Sequence, residues 1–465
     1  MTNRLKCALL AIVFILGYSS LSFELIVLRQ LINFVGSNTL ITSIVITFIL
    51  MFMSIGYYIG SVIKLNKNKL RCLIQRMIIS LNIIFIFASS YYIMEAYFII
   101  LDFIGLKGFL VPVSLYCLLF IAVPSVFMGF ITSSIGRVIH HYDADYTGRF
   151  MAVDTFGSVA GSIATTLIFM PFMSVSATII ILIGLTSFCM LIMCRKKELI
   201  KYLFLGISFV SFSYIFNQEK LIKGSSYLIK DDAVSRLEII PEDFIDNGFQ
   251  SKLMKINGSN SSKISDNQEL MFDYIKFINN QIIAKLDDKK VHNILVLGAG
   301  GFTVGINDHK NNYTFLDVEK DLQTISEDKF LNTPLGKNKK FIYQDAYLFM
   351  LNDKNKYDLI VVDVYSSVQS IPLNFVTANF FNMVKEHLNE GGIMVANIIT
   401  SPDFKNKFSQ KLDNTLRAVF TNNLNRQVLH YGNELSNVEY IYYNYKPDDE
   451  IYTLNKSSAM YGQDS

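Results

Sequence analysis

Long apolar runs fill the chain from Cys7 to Phe216, and beyond about Lys220 the pattern changes to short apolar runs set among Lys, Asp and Asn. A helix that crosses a bilayer needs about 20 mostly apolar residues. Seven stretches meet that need, roughly 7–31, 39–63, 77–101, 109–136, 150–172, 174–194 and 200–216. The first has no small-residue cleavage site and runs into more apolar sequence, so it reads as a span and not as a removed signal. The expectation for 1–219 is a multi-pass α-helical membrane domain of six or seven helices. Two pairs of glycines one turn apart, Gly56/Gly60 and Gly157/Gly161, are placed to let helix backbones approach closely.

Beyond this half the periodicity is that of an α/β domain. "VSRLEIIP" and "SKLMKING" predict a small β segment over 220–265, and 267–286 carries a helical pattern. Five buried-looking strands follow in "NILVLGAGG", "YTFLDVE", "KKFIYQDA", "YDLIVVDVY" and "GGIMVANII", with a helix before the last. Gly391-Gly392 is expected to end that helix. Continuous apolar strands alternating with helices mean a parallel sheet covered on both faces. "NVEYIYYNY" adds a strand and an antiparallel edge. The expected fold over 266–446 is a Rossmann-like α/β domain, with 447–465 read as a disordered tail.

Ligands in such sheets bind at the carboxyl ends of the strands, so the polar residues there are the candidate site. Gly298, Gly300 and Gly301 follow the first strand and allow a tight turn beside a ligand. Asp317 ends the second, about 20 residues past the turn, where an acid can accept from both ribose hydroxyls. Asp345 ends the third and can accept from an exocyclic amine. Asp363 ends the fourth, ahead of Tyr365 and Ser366. Acids that merely cap the following helices are the bland alternative. The turn lacks the G-x-G-x-x-G spacing and there is no phosphate loop, so a nucleoside cofactor without phosphates fits better than a dinucleotide.

Charge and composition narrow the picture. The chain has 465 residues, 51% hydrophobic and only 17% charged, with a net charge of +3. No basic tract points to nucleic acid. The five cysteines show no metal-ligand spacing, so no metal is expected. Arg4, Lys6, Lys64–Arg76, Arg137, Arg149 and Arg195–Lys197 all fall on one side of a bilayer if the N-terminus is cytoplasmic. Seven crossings would then leave the second half outside; six, with 200–216 re-entrant or interfacial, would keep it inside. Glu24, Arg29, Glu95 and Asp154 lie in or near the apolar runs, where ionisable groups are costly. An Arg29 contact with Glu95 or Glu24 is expected.

The motifs "ILVLGAGGFT", "LDVEKDL", "YQDAYLFM", "YDLIVVDVYSS…IP" and "FFNMVKEHLNEGGIMVANII" resemble the spermidine synthase (polyamine aminopropyltransferase) family, and above all its membrane-fused bacterial branch. That resemblance implies decarboxylated S-adenosylmethionine as co-substrate, or S-adenosylmethionine itself, and no metal. It implies a small amine such as putrescine as partner, a bilayer around the first half, a homodimer, and a bacterial cytoplasmic membrane with the second half in the cytoplasm. It assigns Gly298, Gly300, Gly301, Asp317 and Asp345 to the cofactor, Asp363 to catalysis, and Tyr365 and Ser366 to the substrate. Where the family carries D-x-x-D-P, this chain has Asp363 and Ser366, so the second carboxylate is missing. The family's Y-H-E segment reads Phe272-Asp273-Tyr274. Transfer to another, membrane-presented acceptor and a non-catalytic sensor or transporter stay open beside aminopropyl transfer.

Overall fold

The structure, a computed structural model, describes residues 3–36, 39–63, 67–106, 110–142, 146–217, 227–242, 248–365, 371–432 and 435–445. The chain falls into two compact units. One is built on Met1–Pro241 with Leu253–Ser261, the other on Glu242–Lys252 with Ser262–Tyr365 and the residues from Ile371 on.

The first unit is helical: α1 (Asn3–Val35), α2 (Thr39–Val62), α3 (Lys67–Ala88), α4 (Tyr91–Phe103), α5 (Leu110–Tyr142), α6 (Thr147–Met173), α7 (Val175–Met193) and α8 (Leu199–Asn217). Both α5 and α6 contain a π-helical turn, at Cys117–Ile121 and Ala164–Phe169. Seven helices among the described residues are long and apolar enough to cross a membrane, and α4 is not among them. The third span therefore differs from expectation. The apolar run 77–101 is broken after Ala88, where Ser90 turns extended at the start of α4 and Gln30 holds the Ser89 carbonyl at 2.7 Å. The candidate span begins earlier, at Asn68, because the Lys and Arg of its first turns do not end the helix. Segment 200–216 is part of one unbroken helix, α8.

Both glycine pairs do what their spacing predicts. A Cβ on Gly56 or Gly60 of α2 would stand 2.2 or 2.6 Å from the carbonyl oxygens of Val126 or Phe130 on α5. On α6, a Cβ at Gly157 or Gly161 would stand 2.2 or 2.3 Å from the carbonyls of Phe14 or Tyr18 on α1. Only glycine admits such approach. Several polar groups inside this unit are satisfied close by: Ser19, Ser125 and Thr178 each donate to the carbonyl one turn back, and Asn82 receives both Thr186 and Ser187. Large apolar residues such as Phe103, Phe172, Ile200 and Phe204 point outward.

Arg29, 5% exposed, donates to Asp231 at 3.1 Å and to the Asp232 carbonyl at 2.6 Å. Arg236 joins Asp231 at 3.0 Å to Glu238 at 2.8 Å and lies over the Tyr91 ring. This buried ionic cluster is paired throughout.

A four-stranded sheet runs in the order β1 (Leu228–Asp231), β2 (Arg236–Pro241), β3 (Ser251–Ile256), β4 (Ser259–Ser265). Only β2 and β3 were expected. The other two, LIKD and SNSSKIS, are short or polar and carry no alternating apolar pattern.

The second unit is organised around a seven-stranded sheet of order β10-β11-β9-β8-β5-β6-β7. Its strands are β5 (Asn293–Leu297), β6 (Asn312–Asp317), β7 (Lys339–Tyr343), β8 (Tyr357–Val362), β9 (Leu388–Thr400), β10 (Leu424–Val428) and β11 (Ser436–Tyr443). The five from β9 to β7 are parallel and β11 and β10 run antiparallel beside them. The strand order switches direction between β5 and β8, which is where open sheets of this kind bind ligands. The antiparallel edge is a hairpin, not the single strand expected, since polar β10 lies outside β11. Helix α9 (Asp273–Phe277) precedes the sheet; α10 (Ala346–Asn352), α11 (Ala378–Glu386) and α12 (Lys407–Val419) follow individual strands. Gly391-Gly392 does not end α11, whose cap is His387; Gly391, at φ 78°, lies within β9 near the register shift against β8.

Candidate active site

Register alone brings the candidate acids into one row. Leu316 pairs with Leu297, Leu297 with Val362, and Val362 with Ala396. One residue further on, Asp317, Gly298, Asp363 and Asn397 stand side by side at the carboxyl edge. On the antiparallel side Asn397 pairs with Glu439. The row thus runs Asp317–Gly298–Asp363–Asn397–Glu439 over five strands.

The glycine turn closes against this row. Gly298 has φ 91°, and a Cβ there would stand 2.0 Å from the Asp363 carbonyl oxygen. That contact is why no other residue fits. Gly300 also has positive φ. The turn's amides are largely committed to protein groups. Gly298 N–H donates to Leu316, Ala299 N–H to Asp317 Oδ2 at 3.1 Å, and Gly301 N–H to Ser262 Oγ at 2.8 Å. Asp317 also accepts from Glu319 N–H at 3.0 Å, so it clamps two backbone segments. Burial nevertheless pushes its carboxyl above the ordinary range, against those hydrogen bonds. Asp345 caps α10, accepting from Leu348 N–H at 2.9 Å. The bland role weighed for these acids is thus real at Asp345, and one oxygen of a carboxylate is enough for it.

Asp363 is different. Its Oδ1 accepts from Asn397 Nδ2 at 2.8 Å, and the Tyr274 hydroxyl donates to the same carboxyl group. Asn397 is itself oriented by Asn437, whose Nδ2 meets its Oδ1 at 2.7 Å. Both direct donors are neutral. Burial outweighs them and lifts the Asp363 carboxyl to about 6. Tyr365 spans the next strand: its hydroxyl donates to the Asn397 carbonyl at 3.0 Å and receives Ile399 N–H at 2.6 Å. Its hydroxyl therefore anchors the strand-end segment to β9. Ser366 lies outside the described residues.

Tyr274, Asn397, Asn437 and Glu439 belong to this site, and the sequence did not single out the last three. Glu439 is 0% exposed, and neither of its carboxylate oxygens has a hydrogen-bond partner among the described residues. It is near enough to Asp363, Tyr274 and Tyr365 for charge to be felt between them. Burial and the Asp363 charge together hold its carboxyl well above the ordinary range. The one signal for it is a lone acid in the otherwise apolar and aromatic run Val438–Tyr443.

Against known proteins, the Spermine/spermidine synthase domain matches residues 274–437. A probable polyamine aminopropyl transferase of Bifidobacterium longum is 29% identical over 134 residues, 28% of this chain and 28% of that protein. A polyamine aminopropyltransferase of Sulfurisphaera tokodaii is 26% identical over 182 residues, 36% of this chain and 56% of that one. This chain therefore spans between about a quarter and just over half of these relatives' lengths. A probable spermidine synthase of Corynebacterium glutamicum superposes with a TM-score of 0.39 at 22% identity, covering 49% of this chain and 82% of that one. Residues 274–437 of this chain are thus similar to the spermine/spermidine synthase domain.

Proposed function

We propose that the protein is a membrane-anchored aminopropyltransferase that moves the aminopropyl group of decarboxylated S-adenosylmethionine to a small amine of the putrescine type. The observation that carries this is Asp363: a carboxyl at the switch point of the sheet, held by two neutral donors, with an acidity of about 6. The donor's sulfonium is already a good leaving group. What remains is to align a neutral amine with the reacting carbon and to take its proton. The amine lone pair forms the new C–N bond as the C–S bond breaks, and the electron pair stays on sulfur as a neutral thioether. The ammonium so formed gives its proton to Asp363. A carboxylate of acidity near 6 is ionised at neutral pH yet basic enough to assist. Gly298, Gly300 and Gly301 with Asp317 would hold the ribose side of the donor, and Asp345 the adenine amine. Tyr365 and Ser366 would line the amine side.

The seven apolar helices support anchoring. The reading places the sheet domain in the cytoplasm of a bacterial cell, where such a donor is made. The positive charges also favour a cytoplasmic N-terminus, so one of the seven helices must not cross; serine-bearing α8 is the one the sequence singles out. A reporter fused after Lys230 tests this. A cytoplasmic signal is expected, and an extracytoplasmic one would overturn a reading that draws on a cytosolic donor. On the chemistry, purified protein is expected to bind decarboxylated S-adenosylmethionine more tightly than S-adenosylmethionine; the reverse order would favour methyl transfer.

A further inference from the structure

The D-x-x-D-P of the family supplies two carboxylates from one loop, and this chain has serine at the second position. We propose that Glu439, on strand β11, supplies the second carboxylate, and that it binds an ammonium group of the acceptor from the opposite side of Asn397. The inference rests on the proposed amine chemistry and deepens it by naming the residue that selects the acceptor.

The geometry is set by the sheet. Asp363 and Glu439 flank Asn397, one through its 2.8 Å hydrogen bond and the other as its cross-strand partner. Asn397 donates to Asp363 and accepts from Asn437, and among the described residues no hydrogen bond joins it to the Glu439 carboxylate. Tyr365 likewise spends its hydroxyl on β9. Glu439 is left fully buried with both oxygens unpartnered among the described residues.

A buried carboxyl without a partner costs stability, typically a few kcal/mol. The paired cluster of Arg29, Asp231, Arg236 and Glu238 in the other unit illustrates the usual remedy of a protein cation. No Lys or Arg is paired with Asp363 or Glu439 among the described residues, so the neutralising cation is one that enters. Two acids close together in a water-poor site cannot both ionise alone. An ammonium placed between them allows both to do so. A diamine meets this demand with one amine at the reacting carbon and the other on Glu439; a monoamine does not.

The test uses full-length protein with putrescine and with butylamine, which differs in lacking the second amine. Glu439→Gln keeps shape and removes charge. It is expected to raise the KM for putrescine about 100-fold, the scale of one buried charge-assisted hydrogen bond. The kcat should change far less, and the preference for putrescine over butylamine should collapse. Donor binding should be unchanged, and the melting temperature should hold or rise, because an unpaired buried acid has been removed. A Glu439→Gln protein that keeps its KM and its preference overturns the assignment, as does one that loses melting temperature and donor binding together, which marks a structural residue. Calorimetric binding of putrescine needs no turnover and separates the two readings. Wild type that binds putrescine through Glu439 but transfers nothing would sink the aminopropyl reaction and keep this site; wild type that binds no putrescine sinks this site.

Discussion

The helical unit and the sheet unit both use glycine to bring backbones together, but they treat buried ionisable groups differently. Gly157 and Gly161 admit the carbonyls of α1, and Gly298 admits the carbonyl of Asp363, at similar close range. Around the helical glycines each buried hydroxyl named above finds a carbonyl or amide, and the buried ions at Arg29 and Arg236 are paired. Around Gly298, partly buried Asp363 has only neutral donors and fully buried Glu439 has no partner among the described residues. Satisfied polar burial fixes a structure. A buried carboxyl without a partner is costlier than a buried hydroxyl without one, and its persistence at the carboxyl edge of the sheet is what marks the candidate site.

The largest effect on this contrast should come from Asp363→Asn. The substitution keeps size and the contact with Gly298 while removing the proton acceptor, and turnover should fall roughly 10²–10⁴-fold with donor binding retained. Unchanged turnover would show that Asp363 is not the base.

On the helical side, Gly157→Leu should cost about 3 kcal/mol or more, because the carbonyl of Phe14 cannot give way within a helix. Gly148, on the same helix, faces open space, and Gly148→Ala should be neutral or slightly stabilising. Thermal unfolding in detergent reads both. Equal effects would mean that the close approach is not what holds α1 to α6.

pH separates stability from activity in the sheet unit. Asp363 is less acidic when folded, at about 6, than the ordinary 3.8. The unfolded chain therefore holds fewer protons in that window, and stability should be greatest below about pH 4 and fall as pH rises towards 6. Activity should move the other way, rising through pH 6 as the carboxylate forms. Asp363→Asn should flatten the stability trend. Glu439 is also held well above the ordinary carboxyl range, by burial and by the Asp363 charge, so it adds to the same trend.

The smallest effect concerns Asp345, where the structural role is plain and the ligand role is proposed. Asp345→Ala should lose about 1 kcal/mol of stability with the cap of α10. Asp345→Asn should keep the cap. A donor-binding loss seen in both variants would belong to the carboxylate; one seen only with alanine would belong to the helix end.

Much of this molecule was readable from pattern. The apolar helices, the glycine pairs, the parallel strands and the acids at their ends all follow from short-range patterns. The failures share a cause. Strands β1, β4 and β10 are short or polar and exist because neighbours far along the chain pair with them. The break at Ser89 is invisible to an apolar window, and the caps and bulge near Gly391 depend on β9 sliding against β8. The site was half legible. Asp363 stood out as a lone acid after a strand, but Glu439 sits 42 residues beyond its cross-strand partner Asn397 in sequence number and meets it only through register. On the proposed reading, the second carboxylate comes from a strand far from Asp363 in sequence.

The most direct measurement is product analysis of purified full-length protein given decarboxylated S-adenosylmethionine and putrescine. The account predicts aminopropylated putrescine and the thioether nucleoside in equal amounts, both lost with Asp363→Asn. Neither product from the wild type, or methylated amine formed from S-adenosylmethionine in their place, would contradict it.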